Sequence, residues 1–246
     1  MRILVTNDDG IQAAGIRALE TAARRFGDVT VVAPANEQSS IGHAISLRSP
    51  LRVQRLDERH YAVVGTPTDC VYLAMHRIYS EPPQLVLSGI NHGANLGDDV
   101  TYSGTVGAAI EGLIQGVPSI AFSLCRGSNF DACVPHIERV IEAALDEPVD
   151  RPLLLNVNFP DCSDGVTGFF LGSLGRRHYG KIVDERKDPR GGSYFWIGGP
   201  LVKHREEPGS DELIVRQGGV SVTPLTVDLT DYRTWQKMQG WKLISS

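Results

Sequence analysis

An α/β protein with a mostly parallel sheet is what this sequence predicts, on three observations. Short aliphatic runs at 3–5, 29–33, 85–88, 119–123 and 153–157 are each bounded by turn-forming residues, as expected of strands buried on both faces. Between them lie segments whose apolar residues recur at helical spacing. Residues 3–33 read as strand, helix and strand, the βαβ unit whose crossover is almost always right-handed.

The elements follow in order. Residues 15–26 put Ile16, Leu19, Ala22, Ala23 and Phe26 on one helical face, with Gly27 closing the helix. The second strand, 29–33, ends in Pro34. Residues 51–56 and 61–64 alternate only roughly and suggest an antiparallel pair at an edge. Thr66 reads as a helix N-cap with Pro67 at N1 and Asp69 at N3, so Asp69 is assigned to capping rather than to catalysis. Val71, Ala74, Met75 and Ile78 form that helix's apolar stripe. A strand at 85–88 precedes a helix from 106 to about 115, and Pro118 introduces the strand at 119–123. A helix over 132–145 has Val134, Ile137, Ile141 and Ala144 in register, and 153–157 closes the parallel series. Beyond Gly165 the character changes to short strands, 169–171, 194–197 and 220–223, joined by charged, glycine-rich connections. The run 176–190 is dense in charge, and Gly191-Gly192 invites a hairpin turn. Tyr194, Phe195 and Trp196 on such an arm are exposed in a monomer, which points to a partner surface. A last helix is expected from 232 to about 241.

Composition narrows the class. At 246 residues and 41% hydrophobic the chain can bury one large core with an appendage. A net charge of -5 without a basic run gives no footprint for a nucleic-acid groove. No stretch approaches the roughly 18 apolar residues of a membrane span, and Met1 leads straight into a strand, so no membrane association and a cytoplasmic location are expected. Cys70, Cys125, Cys133 and Cys162 form no C-x-x-C pair, so neither zinc nor a redox motif is signalled.

The chemistry centres on Asn7, Asp8, Asp9 and Gly10, delivered to the end of the first strand, where parallel sheets place their ligands. Two carboxylates about 4 Å apart repel by roughly 4 kcal/mol at an effective dielectric near 20. A bound cation, or a raised pKa on one of them, relieves this. The loop 35–43 ends the adjacent strand and should face the pair, so Ser39 or Ser40 completes a metal shell or touches a substrate oxygen. Residues 89–99 contain Gly89, Asn91, Gly93, Asn95 and Gly97. Glycines let backbone approach a ligand, and an Asn amide offers oxygen to a cation or NH2 to a phosphate, so Asn91 and Asn95 both stand as candidates. Ser103 or Thr105 at a helix start behind that loop makes an anion cradle. All these donors are oxygens, which implies a hard ion, Mg2+, Mn2+ or Ca2+. A hard cation beside an anion cradle suits phosphate chemistry. G-x-x-x-x-G-K-[ST] is absent, G-x-G-x-x-G does not follow the first strand, and the haloacid-dehalogenase Asp-x-Asp is replaced by adjacent aspartates. Direct attack by metal-activated water is therefore favoured over a covalent intermediate.

Several stretches together resemble the SurE stationary-phase survival proteins. They are ILVTNDDG at 3–10, Val32 to Pro34 with Ser39, GTPTDCV at 65–71, SGINHGANLGDD at 88–99 and SGTV at 103–106, then DPRGG at 188–192, WIG at 196–198 and VSVTPL at 220–225. The resemblance implies a three-layer α/β/α Rossmann-like core over 1–165. Over 166–246 it implies a hairpin arm, returning strands and terminal helix that build a homodimer or homotetramer. It implies one divalent cation per subunit on Asp8, Asp9, Ser39 and Asn91, choosing Asn91 where spacing leaves the choice open, with Asp8 and Asp9 also catalytic. Asn95, Ser103, Gly104 and Thr105 fall on the phosphate side, and Ser40 and Gly42 are placed with them. The implied activity is hydrolysis of nucleoside 5'- and 3'-monophosphates. An exopolyphosphatase using the same site and a non-catalytic nucleotide sensor are the alternatives. Ala94 and the stretch Asn36-Glu37-Gln38 depart from the family pattern, and the second removes positive charge near the expected phosphate pocket.

Overall fold

The computed structural model of the chain describes residues 1–146, 152–177, 179–180, 182–200, 207–241 and 243. The first unit is β1 (Arg2–Thr6), α1 (Ala14–Ala23) and β2 (Asp28–Pro34), followed by β3 (Arg52–Arg55) and β4 (His60–Val64). α2 (Pro67–Leu73) runs into a π-helical turn, Ala74–Ile78, before β5 (Leu85–His92). α3 (Gly104–Ile114), β6 (Ser119–Leu124), α4 (Val134–Asp146) and β7 (Leu154–Phe159) continue the alternation. The C-terminal part adds β8 (Phe169–Leu171), β9 (Ile182–Lys187), β10 (Ser193–Gly198), α5 (Asp211–Arg216), β11 (Val220–Pro224) and α6 (Tyr232–Met238).

Nine strands form one sheet in the order β3-β4-β2-β1-β5-β6-β7-β11-β8. From β4 through β7 all neighbours are parallel. β3 pairs antiparallel on the outer side of β4, as the sequence suggested. β1 is central because its residues alternate between two buried faces. Ile3 and Val5 pack in a core with Ile16 and Leu19 of α1 and Ile137 and Ile141 of α4. Leu4 packs on the other side with Val71 of α2, with Ala74 of the π-helical turn and with Ala108 of α3. Three layers follow directly: α1 and α4, the sheet, then α2 and α3. Fully burying each such aliphatic side chain contributes about 1.5–3 kcal/mol. Phe122 and Phe159 stack across β6 and β7 with ring centroids 6.0 Å apart.

The cap predicted for α2 is present. Thr66 Oγ1 accepts the Asp69 amide at 3.1 Å, and Asp69 Oδ2 accepts the Thr66 amide at 2.9 Å. Asp69 Oδ1 also accepts the Ser46 amide at 2.8 Å, tying the loop before β3 to the helix.

Two features differ from the sequence reading. β5 does not stop at Ser88 but resumes after a register shift between Ser88 and Asn91 and runs to His92. Gly89 permits this, because a Cβ there would lie 2.3 Å from the Phe122 carbonyl oxygen. Second, β11 inserts antiparallel beside β7 and carries β8 parallel on its far side, pairings that the sequence does not specify. What stands apart is the hairpin of β9 and β10, all twelve of whose residues are exposed, and α6, which buries none of its residues. His178 and Lys181, in the charged run 176–190, lie outside the described residues, as do Lys242 and 244–246.

Candidate functional site

The chain leaves β1 for β2 on one side and later returns to β5 on the other. At such a switch point the loops part at the carboxyl ends of the strands and leave a crevice. A cavity of about 680 Å³ occupies it, lined by Asp8, Ser39, Ser40, Asn91, Asn95 and Ser103 among others. Six of the residues singled out in the sequence therefore line one cavity. Gly104 and Thr105 lie against Asp8, and Asp9 follows it in the chain.

Asp8 is buried, and burial pushes its carboxyl up to about 6 from 3.8, with repulsion from Asp9 adding to the rise. Against this act the Thr105 hydroxyl, which donates to Asp8 Oδ1, and the Thr105 backbone N–H. Thr105 is fully buried and directs both donors to Asp8, so the start of α3 reaches a carboxylate of the protein itself. The approach is close enough that a Cβ on Gly104 would sit 2.9 Å from Asp8 Oδ2. Asp9 is also raised, by burial and by the nearby Glu37, while the His92 amide donating to its Oδ2 at 3.0 Å pulls it back.

The loop after β2 is fastened at both ends. The Gln38 amide donates to the Asp8 carbonyl at 2.7 Å, and the Gly42 amide donates to the Tyr102 carbonyl at 2.9 Å. The Gly42 N–H is thus paired within the protein. His43 Nε2 and Glu111 Oε2, 2.9 Å apart, hold the next residue to α3. Ser40 sits between these anchors with φ 58. Ser39 Oγ donates to Glu37 Oε1 at 2.6 Å, which leaves its lone pairs for another partner.

Both asparagines are turned the same way. Asn91 Nδ2 donates to the Gly93 carbonyl at 3.0 Å, and Asn95 Nδ2 donates to Ser123 Oγ at 2.8 Å. Each keeps an amide oxygen, and Asn95 also keeps a second Nδ2 hydrogen. Ser103 Oγ caps α3 by accepting the Val106 amide at 3.1 Å. Two carboxylates, a hydroxyl and amide oxygens suit a hard divalent cation. Residues the sequence reading missed are Ser123, Asn156 and Asn158, which hold Asn95, and His92, whose amide holds Asp9. Polar residues at alternate positions of the otherwise apolar strand Leu154–Phe159 were the available signal.

The profile of the family described as survival protein SurE matches residues 3–181. The chain is 47% identical over 247 residues to a Geobacter sulfurreducens protein named 5'-nucleotidase SurE, covering 99% of this chain and 94% of that protein. It is 48% identical over 248 residues to a Myxococcus xanthus protein of the same name, covering 98% and 94%. The crystal structure of the SurE protein from Aquifex aeolicus superposes with a TM-score of 0.86 at 39% identity, covering 97% and 98% of the two chains. With nearly the whole length matched in sequence and in structure, the chain belongs to the SurE survival-protein family.

Proposed function

We propose that the chain is a divalent-cation-dependent 5'-nucleotidase, hydrolysing nucleoside 5'- and 3'-monophosphates to nucleoside and inorganic phosphate. The observation that carries this is one cavity bringing Asp8, Ser39 and Asn91 together with Asn95 and the capped start of α3. The relatives named 5'-nucleotidase support the same chemistry. Asp8, Asp9, Ser39 and Asn91 hold one cation, Mg2+ or Mn2+ with Ca2+ as an alternative occupant. When bound, it polarises the phosphoryl group and lowers the pKa of the attacking water. Thr105 keeps the Asp8 carboxylate ionised and aimed, and an oxygen of the aspartate pair takes the water's proton. Asn95, Ser103, Gly104 and Ser40 take the phosphate side.

The same reading divides the chain into a catalytic core, 1–165, and a segment, 166–246, that builds a homodimer or homotetramer in the cytoplasm. The uncovered aromatics of β10 support the assembly. Among the described residues no helix is long and apolar enough to cross a membrane.

Phosphate release from nucleoside 5'- and 3'-monophosphates and short polyphosphate, first in EDTA and then with Mg2+ or Mn2+ restored, tests the reading. Release that returns with the metal supports it. Tight nucleotide binding without product under either metal turns the protein into a sensor.

A further inference from the structure

Beneath the cavity wall lies a polar cluster that the proposed chemistry does not use directly. Asn158 on β7 presents both ends of its amide to the backbone of Asn95: the Asn95 N–H donates to Asn158 Oδ1 at 3.0 Å, and Asn158 Nδ2 donates to the Asn95 carbonyl at 3.0 Å. Asn156 Nδ2 donates to the same carbonyl at 2.8 Å. Ser123 on the neighbouring strand accepts from the Asn95 side chain at 2.8 Å, and Cys125 Sγ lies 3.5 Å from Asn158 Oδ1. Asn156, Asn158 and Ser123 are all fully buried.

We infer that Asn158 is a positioning residue for catalysis, acting through Asn95. Three considerations lead there. First, a strand buried at every position needs only apolar side chains to pack, whereas each buried amide must be desolvated and then matched. The match here is incomplete, since Asn156 Oδ1 is buried with no hydrogen-bond partner among the described residues. A purely structural strand gains nothing from that arrangement. Second, the pairing is two-pointed: an amide facing both the N–H and the C=O of one residue fixes that peptide's orientation as well as its place. Third, the residue so held lines the cavity, midway between two main-chain anchors of its loop, Gly93, which donates to the Leu124 carbonyl at 3.0 Å, and Gly97, which donates to Asp211 Oδ2 at 2.8 Å. Asn158 thus does for Asn95 what an outer-shell partner does for a ligand, and loss of such partners lowers activity about 10–100-fold.

This inference rests on the hydrolase reading above, and the experiment separates the two. Asn158→Leu keeps the side-chain shape and removes both hydrogen bonds. With saturating Mn2+ and a nucleoside 5'-monophosphate, its kcat/KM falls about 10–100-fold, chiefly through KM, and inhibition by inorganic phosphate weakens in parallel. In an Asn95→Ala background the same substitution changes kcat/KM by less than about twofold, because the residue it acts through is gone. A merely structural Asn158 would lower activity equally in both backgrounds, and that result overturns the inference, as does a kcat/KM for Asn158→Leu within about twofold of wild type. Should Asn158→Leu fail to fold, Ser123→Ala, which removes only the partner of the Asn95 side chain, is put through the same cycle with the same criteria. Wild-type protein that releases no phosphate sinks the hydrolase reading itself, whereas active wild type with an additive cycle sinks only the role of Asn158.

Discussion

β7 and β10 are each six residues long, and every residue of β7 is buried while every residue of β10 is exposed. Composition does not explain the contrast. β10 contributes Tyr194, Phe195, Trp196 and Ile197, a set as apolar as the Leu154, Leu155, Val157 and Phe159 of β7. Neighbours explain it. β7 has β6 on one edge and β11 on the other, whereas β10 has only β9. A two-stranded ribbon is marginal in water by itself, and uncovered aromatics on it mark a surface meant for a partner. The two strands also invert the usual assignment of polarity. β7 buries two asparagines beneath the cavity wall, and β10 leaves its apolar residues uncovered.

The largest expected effect is at the site. Asp8→Asn lowers turnover by about a thousandfold or more, since a charged group aimed at the reacting centre is lost. Its effect on stability has the opposite sign. A carboxyl raised from 3.8 to about 6 on folding gives stability that is present below pH 4 and lost as pH rises through 6. At pH 7 the metal-free Asp8→Asn protein is therefore more stable than metal-free wild type by about 2–3 kcal/mol, and at pH 4 the two converge. Urea melts at both pH values decide it, and an equal midpoint at pH 7 removes the argument from burial.

Next come paired truncations in the two kinds of strand. Phe122→Ala removes half of the stacked pair between β6 and β7 and destabilises the fold by about 3–5 kcal/mol. Trp196→Ala on β10 changes the stability of the isolated subunit by no more than about 0.5 kcal/mol, yet lowers the molecular mass seen by light scattering to that of a single chain. If Trp196→Ala left the oligomer intact, the contrast would lose its functional meaning.

The smallest effect sharpens the role of the α3 start. Thr105→Val keeps the shape and removes the hydroxyl on Asp8. Activity falls about 10–100-fold, and the pH at which activity reaches half its maximum moves upward, because the group that lowers the Asp8 carboxyl is gone. A phosphate-binding Thr105 would instead raise KM with no change in the pH profile.

What could be read from the sequence follows from how far apart the interacting residues lie. The partners of the Thr66 and Asp69 cap are three positions apart, and the sequence states it completely. The aliphatic runs gave the parallel core because strands buried on both faces need no long-range information to be recognised. Thr105 was visible as a helix-start hydroxyl, but its partner Asp8 is 97 residues away, and only the folded sheet shows that its donors are taken. β8 and β11 were visible as strands, and their insertion beside β7 was not, because pairing partners leave no local mark. Asn156 and Asn158 could have been flagged from their alternation, since residues two apart on a strand share a face.

The insertion of β11 has a consequence for how the protein is born on the ribosome. Until residue 225 has emerged, β7 is a bare edge with Asn156 and Asn158 beside it, and Asp211 is not there to receive the Gly97 amide 114 residues upstream. At about 5–20 residues per second the roughly 60 residues after 165 take some 3–12 s to make. A nascent or truncated chain can therefore assemble the Asp8 end of the crevice but not brace its opposite wall. The crevice is braced on both sides only once β11 has been made.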